Sequence, residues 1–201
     1  MRIDSKTAAA RLLEMDDITL LCHRDPDGDT YGSASALFDA LSAMGKQVNI
    51  HCPDPFPANL AYLHREMPRF ETKHFVAIDM AASSMLGDPK ETRPAVELNI
   101  DHHPTNPLFA KETFLCSYAA AGEAVYEVIR EMGAPVSPFC ATALFTALSS
   151  DTGGFRYANT TTQTLRYAAD LMELGADTET IRVQLFESKS CGRIAVEAEA
   201  L

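Results

Sequence analysis

Three short, largely apolar runs in this chain end the same way. Ile18-Thr19-Leu20-Leu21-Cys22 runs into His23-Arg24-Asp25-Pro26-Asp27-Gly28-Asp29, Phe75-Val76-Ala77-Ile78 runs into Asp79, and Val96 to Ile100 runs into Asp101-His102-His103. Each run has the length and the Val/Ile/Leu content of a buried strand. Strand-length runs alternating with helical stretches imply a mainly parallel sheet, and the fixed hand of crossovers makes it doubly wound. The pattern therefore predicts an α/β fold: a doubly wound, mainly parallel, five-stranded sheet with helices on both faces. Ligands of such sheets bind outside the carboxyl ends of the strands, so these polar ends are predicted to meet in one crevice.

The remaining elements follow from periodicity and punctuation. MRIDSKTAAARLLEM has the spacing of an amphipathic first helix and no signal-peptide core. A helix is predicted through Ser33–Leu41, stopping at Gly45, then a strand over 47–52. A short helix follows the proline-rich loop Pro53–Pro57, at 59–66, and strands cover 75–79 and 96–101. Three long helical segments, 118–132, 138–149 and 162–174, complete the pattern, with a polar tail after Glu187.

Composition narrows the class. With 201 residues and 46% hydrophobic content the chain fits one domain with a real core. No apolar run approaches the roughly 18 residues of a membrane span. The net charge of −11 argues against long nucleic acid held by a broad basic surface, but not against a short oligonucleotide or a nucleotide gripped locally through metal ions. The five cysteines show no paired spacing and read as reduced thiols of a cytoplasmic protein. The sequence leaves a homodimer open.

The predicted crevice collects His23, Asp27, Asp29, Asp79 and His102, and a further carboxylate, Asp151, closes the apolar helix ahead of Gly153-Gly154. Two carboxylates about 4 Å apart repel by about 4 kcal/mol at an effective dielectric near 20, so the pocket must take up protons or cations. Oxygen-rich ligands with some imidazole suit Mn²⁺ or another octahedral divalent ion. Six ligands sharing a carboxylate suit two ions, an arrangement that clamps the attacking and leaving oxygens of a phosphoryl transfer. Singly, each of these residues has an ordinary reading as a turn former or helix cap; gathered at three strand ends they do not. His51, His64 and His74 have no matching acidic pattern and read as structural. Neither nucleotide-binding glycine fingerprint is present, nor a G-x-S-x-G elbow around Ser33.

Taken in order, HRDPDGDTYGS, the strand ending VAID, Asp101-His102-His103 and SSDTGGFRYANT resemble the four successive motifs of the DHH phosphoesterases. That superfamily includes RecJ-like nucleases, family II inorganic pyrophosphatases, cyclic-dinucleotide phosphodiesterases and bifunctional nanoRNases that also dephosphorylate 3′-phosphoadenosine 5′-phosphate. DTGGFRYANT is most similar to the last group, and the resemblance spans roughly residues 15 to 190. It implies that His23 and Asp27 bind one metal ion, that Asp29, His102 and Asp151 bind a second, and that Asp79 bridges the two. His103 would face the phosphate, Asp101 would orient a histidine, and Arg156 would contact phosphate. The implied cofactor is a pair of divalent ions, most simply Mn²⁺, and the implied substrates are short oligoribonucleotides or a nucleotide phosphate. Met85 stands where relatives often carry an arginine. Relatives also carry a C-terminal DHH-associated domain with a glycine-rich, histidine-bearing motif, and no GGGH-like stretch occurs in these 201 residues. The expectation is a catalytic domain over 1–188, with 189–201 starting a linker helix toward an absent domain: either a fragment, or a domain with an open site.

Overall fold

A computed structural model describes residues 1–87, 94–188 and 191–199. In chain order these form β1 (Arg2–Ile3), α1 (Ser5–Glu14), β2 (Ile18–Leu21), α2 (Gly28–Ala43), β3 (Val48–His51), β4 (His74–Ile78), β5 (Leu98–Asp101) and β6 (Glu112–Leu115). Then follow α3 (Ala121–Glu131), α4 (Pro138–Asp151), α5 (Thr162–Glu173), α6 (Thr178–Arg182) with a π-helical turn Val183–Glu187, and α7 (Cys191–Glu199). Two 3₁₀ turns, Ala58–Leu63 and Ser83–Leu86, lie in the connections. Of the expected linker segment, α7 is described, while residues 189–190 and 200–201 lie outside the described residues.

The strands form one sheet in the order β1-β6-β5-β4-β2-β3, and every pairing is parallel. The sheet has six strands rather than the expected five, and of the six the sequence placed β2 to β5. Neither β1 nor β6 has a clear apolar period. β1 is two residues long, and Glu112 of β6 is buried because Arg11 of α1 neutralises it, with Nε donating to its carboxylate at 2.8 Å. The strand order reverses between β2 and β4: β3 lies on one side of β2, while β4, β5 and β6 follow on the other. That reversal is the switch point at which open parallel sheets hold ligands.

Side-chain alternation splits the core by face. Ile18, Leu20, Val76, Ile78, Leu98 and Ile100 share a large cluster with Leu12, Leu37, Val125 and Leu144 of the helices. Leu21 and Ala77, pointing the other way, join Met80, Val96 and Ala110, with Leu86 and Phe109 against them. The covering is therefore uneven: the long helices share the first cluster, while the second is roofed by the Ser83–Leu86 turn and loops. Helices α2, α3 and α4 meet through small residues. A β-carbon on Gly32 would lie 2.5 Å from the Ala143 carbonyl oxygen, and one on Gly122 would lie 2.5 Å from the Ala147 β-carbon. These contacts bring the starts of α2 and α3 together at the C-terminal edge of the sheet.

Among the described residues no helix is long and apolar enough to cross a membrane. Cys22 and Cys140 are free and buried, and Cys52 and Cys116 are free and half-buried.

Candidate metal centre

The turn after β2 does two jobs. The helix expected from Ser33 begins at Gly28, because Asp27 caps it: its Oδ1 accepts the backbone N–H groups of Asp29 (2.9 Å) and Thr30 (3.1 Å). An acidic cap and an acidic first turn suit the positive end of the helix dipole. Asp29 is thereby carried into the protein on the first turn of α2 and is fully buried. Its carboxylate accepts the N–H groups of Ala121 (2.7 Å) and Gly122 (2.9 Å) at the start of α3, and the Ser33 hydroxyl at 3.1 Å.

Asp79 follows β4 with φ 60°, a left-handed conformation that an aspartate tolerates better than most residues. Its N–H is held by the Ile100 carbonyl at 2.9 Å, and only 3% of the residue is exposed. Its Oδ2 faces His23 Nε2 at 3.6 Å, and its Oδ1 faces His102 Nε2 at 3.3 Å. His23 Nε2 is also 3.8 Å from Asp27 Oδ1, while His102 Nε2 lies 3.7 Å from Asp29 Oδ2 and 3.4 Å from Asp151 Oδ2. Among the described residues three groups have ligand atoms within 4.8 Å of one another: His23–Asp27–Asp79, Asp29–His102–Asp151 and Asp79–His102–His103.

Both imidazoles at the centre of these groups are oriented by backbone. His23 Nδ1 donates to the Arg24 carbonyl (2.7 Å) and His102 Nδ1 to the Tyr118 carbonyl (3.2 Å). Each bond fixes a proton on Nδ1 and turns Nε2 toward the carboxylates. His103 Nδ1 donates to Asp101 Oδ1 at 2.7 Å, and Asn106 donates to Asp101 Oδ2 at 2.6 Å and to the Met80 carbonyl.

The fit of a cation can be judged from atoms that lack partners. Asp79 Oδ1 and His102 Nε2 are buried without a hydrogen bond, 3.3 Å apart yet not aligned to bond each other. Buried polar atoms are rarely left so, and an ion between them would satisfy both.

The protonation pattern of the cation-free site agrees. Burial, then the charges of Asp79 and Asp151, push the Asp29 carboxyl well above its usual range. Burial, then Asp79 and Asp27, push Asp151 up to about 7. Burial disfavours the cationic form of His23 and His102, but Asp27 and Asp79 around the first, and Asp79, Asp29 and Asp151 around the second, raise each to about 10. Asp101, burial notwithstanding, is held low by His103 and Asn106.

The expected residues thus converge, with one exception. Arg156 is exposed; its Nε donates to the Gly153 carbonyl at 2.6 Å, and its guanidinium lies 5.7 Å from the Phe186 ring centre. None of these contacts reaches the cluster. His74 does have an acidic partner, Glu97 at 2.9 Å, but at the start of β4, the opposite end from the site. Sequence reasoning missed Ser33, Asn106 and the backbone donors and acceptors of Tyr118, Ala121 and Gly122. The serine closed a quoted motif and the asparagine lay just beyond another; the backbone groups leave no sequence signal.

A parallel α/β sheet with a carboxylate–imidazole cluster at its switch point defines a class of domain equipped to hold divalent cations. Within it the chain belongs to the DHH family, whose N-terminal domain matches residues 17–148. It is 38% identical over 169 residues to the bifunctional oligoribonuclease and PAP phosphatase NrnA of Thermus thermophilus, covering 79% of this chain and 50% of that protein. The protein of the same name from Bacillus subtilis is 27% identical over 194 residues, covering 92% of this chain and 62% of the relative. The chain therefore spans about half to three-fifths of the length of these relatives. An exopolyphosphatase-related protein from Bacteroides fragilis superposes with a TM-score of 0.86 over 97% of this chain and 64% of its own, at 23% identity, a likeness of fold.

Proposed function

We propose that this domain is the catalytic part of a metal-dependent phosphoesterase that hydrolyses short oligoribonucleotides, 3′-phosphoadenosine 5′-phosphate or both. The observation that carries the reading is Asp79, with one oxygen toward His23 in the group it shares with His23 and Asp27, and the other toward His102 of the Asp29–His102–Asp151 group. The names of the Thermus and Bacillus relatives support the substrate class.

In this reading the clustered carboxylates and imidazoles would hold two divalent ions, Mn²⁺ by preference, which when bound would supply Lewis-acid polarisation of the phosphoryl oxygens. His23 and Asp27 would hold one ion, Asp29, His102 and Asp151 would hold the other, and Asp79 would serve both. The backbone-fixed histidine tautomers keep both Nε2 atoms available as ligands. His103 steadies a phosphate oxygen through Nε2, because Asp101 occupies its Nδ1. Burial of Asp29 and Asp79 keeps competing water from their carboxylates. Arg156 is assigned a phosphate contact only if its tether to Gly153 is released.

The test is Mn²⁺-dependent hydrolysis of pApA, a cyclic dinucleotide and pyrophosphate by this chain and by Asp79→Ala. Turnover of pApA that vanishes in the variant supports the proposal. Preference for either of the other substrates would move the chain to another branch of the family. Two bound ions with no turnover of any substrate would make it a metal- and nucleotide-binding module.

A further inference from the structure

The stretch that supplies Asp151 continues into Ala158-Asn159-Thr160. The Asn159 side-chain nitrogen donates to two carbonyls at once, that of Ala119 at 3.2 Å and that of Asp151 at 3.0 Å. Ala119 lies in the segment 118–122, which holds the other two members of one candidate group. Tyr118 orients His102 through its carbonyl, and Ala121 and Gly122 hold Asp29 through their N–H groups.

All three residues of the Asp29–His102–Asp151 group are therefore tied to one backbone segment, Asp151 by way of Asn159. That segment is itself anchored. The buried Glu123 accepts the Ala119 N–H (3.1 Å) and the Thr164 hydroxyl (2.8 Å), and Thr164 closes a capping box with Thr161 just past Asn159. After Asp151 the chain passes through Gly153, Gly154 and Phe155, all with positive φ, before Asn159 reaches back to the Asp151 carbonyl. The hydrogen bonds that place the first group come from elsewhere: His23 is oriented by Arg24, Asp27 by the start of α2, and the Asp79 backbone by the Ile100 carbonyl.

We propose that Asn159 is a positioning residue for the Asp29–His102–Asp151 half of the centre. Its carboxamide fixes the spacing between Asp151 and the segment carrying the contacts to the other two ligands. The group suits the task because one amide nitrogen carries two donors, where a carboxylate carries none. The inference rests on the two-ion reading above. A plainer role would be to satisfy the last carbonyl of α4 as a cap, which would affect stability and nothing else.

Calorimetric Mn²⁺ titration and thermal melts of the unaltered chain, Asn159→Ala and Asn159→Asp separate these roles. Asn159→Asp keeps the volume and removes the donors, so the test does not depend on the alanine variant folding. The expected result is two ions on the unaltered chain and, in both variants, one ion bound as before and the other weakened about 10-fold or more. A lower melting temperature with both ions unchanged would reduce Asn159 to a cap and overturn the inference. Equal weakening of both ions would overturn it too. Fewer than two ions on the unaltered chain would overturn the two-ion reading, and the inference with it.

Discussion

Asp79 is the residue on which the centre turns, and its backbone makes it a clean site for testing. Asparagine also tolerates the left-handed conformation that Asp79 adopts, so Asp79→Asn should fold. We expect Mn²⁺ at about 100 times its Kd to raise the stability of the unaltered chain by about 2.7 kcal/mol. That is a melting shift of roughly 5–10 °C for a domain of about this size, and Asp79→Asn should lose it. A retained shift would remove Asp79 from the ligand set. Asp101→Asn should leave Mn²⁺ binding intact and lower turnover of pApA about 10- to 100-fold, because it removes the negative charge beside His103 and leaves one acceptor oxygen for two donors, His103 Nδ1 and Asn106; paired kinetics and metal titration check this. The cation-free chain carries a pH signature as well. Asp151 at about 7, and His23 and His102 at about 10, bind more protons folded than unfolded. Raising the pH from 6 to 8 should therefore lower the stability of the metal-free chain. Saturating Mn²⁺ should flatten or reverse that trend, and urea melts at the two pH values with and without metal would show either outcome.

Among the elements, α2 and its neighbours decide whether the site can assemble. Gly32 lets α2 approach α4 so closely that an added methyl would press on a backbone oxygen. Gly32→Ala gains up to about 1 kcal/mol of helix propensity, but overpacking costs about 1–3 kcal/mol, and the obstacle is rigid. The variant should therefore lower the urea midpoint; an unchanged or raised midpoint would mean that the helices move apart freely. The same elements show what was readable from sequence. The first helix, β2 to β5 and the three long helices were legible because each has a strong period and ordinary punctuation. β1 was too short to carry a period. β6 hides Glu112, whose burial depends on Arg11, 101 residues away in sequence. The start of α2 was misplaced because Asp27 reads as turn chemistry until its carboxylate is seen capping the helix.

For the molecule as a whole, charge limits the partner. A net charge of −11 argues against a broad basic surface that would exchange counterions with phosphates, so we expect a 24-mer RNA to bind no more tightly than a dinucleotide when Mn²⁺ is present. Competition of the two for the Mn²⁺-loaded chain tests this, and a clear advantage for the longer RNA would require a basic path that the sequence does not show. The sequence by itself determined the parallel α/β class and the identity of the converging carboxylates and imidazoles. Strand burial, helix amphipathicity and the chemistry at strand ends are local properties, and a local pattern records them. Only the tertiary structure decided which carboxylate faces which imidazole, which nitrogen of each histidine is free, and which atoms are left without partners. Those facts depend on distances set by the strand order and by backbone groups such as the Tyr118 carbonyl and the Ala121 N–H. Every residue carries such backbone groups, so the sequence cannot mark the ones that matter.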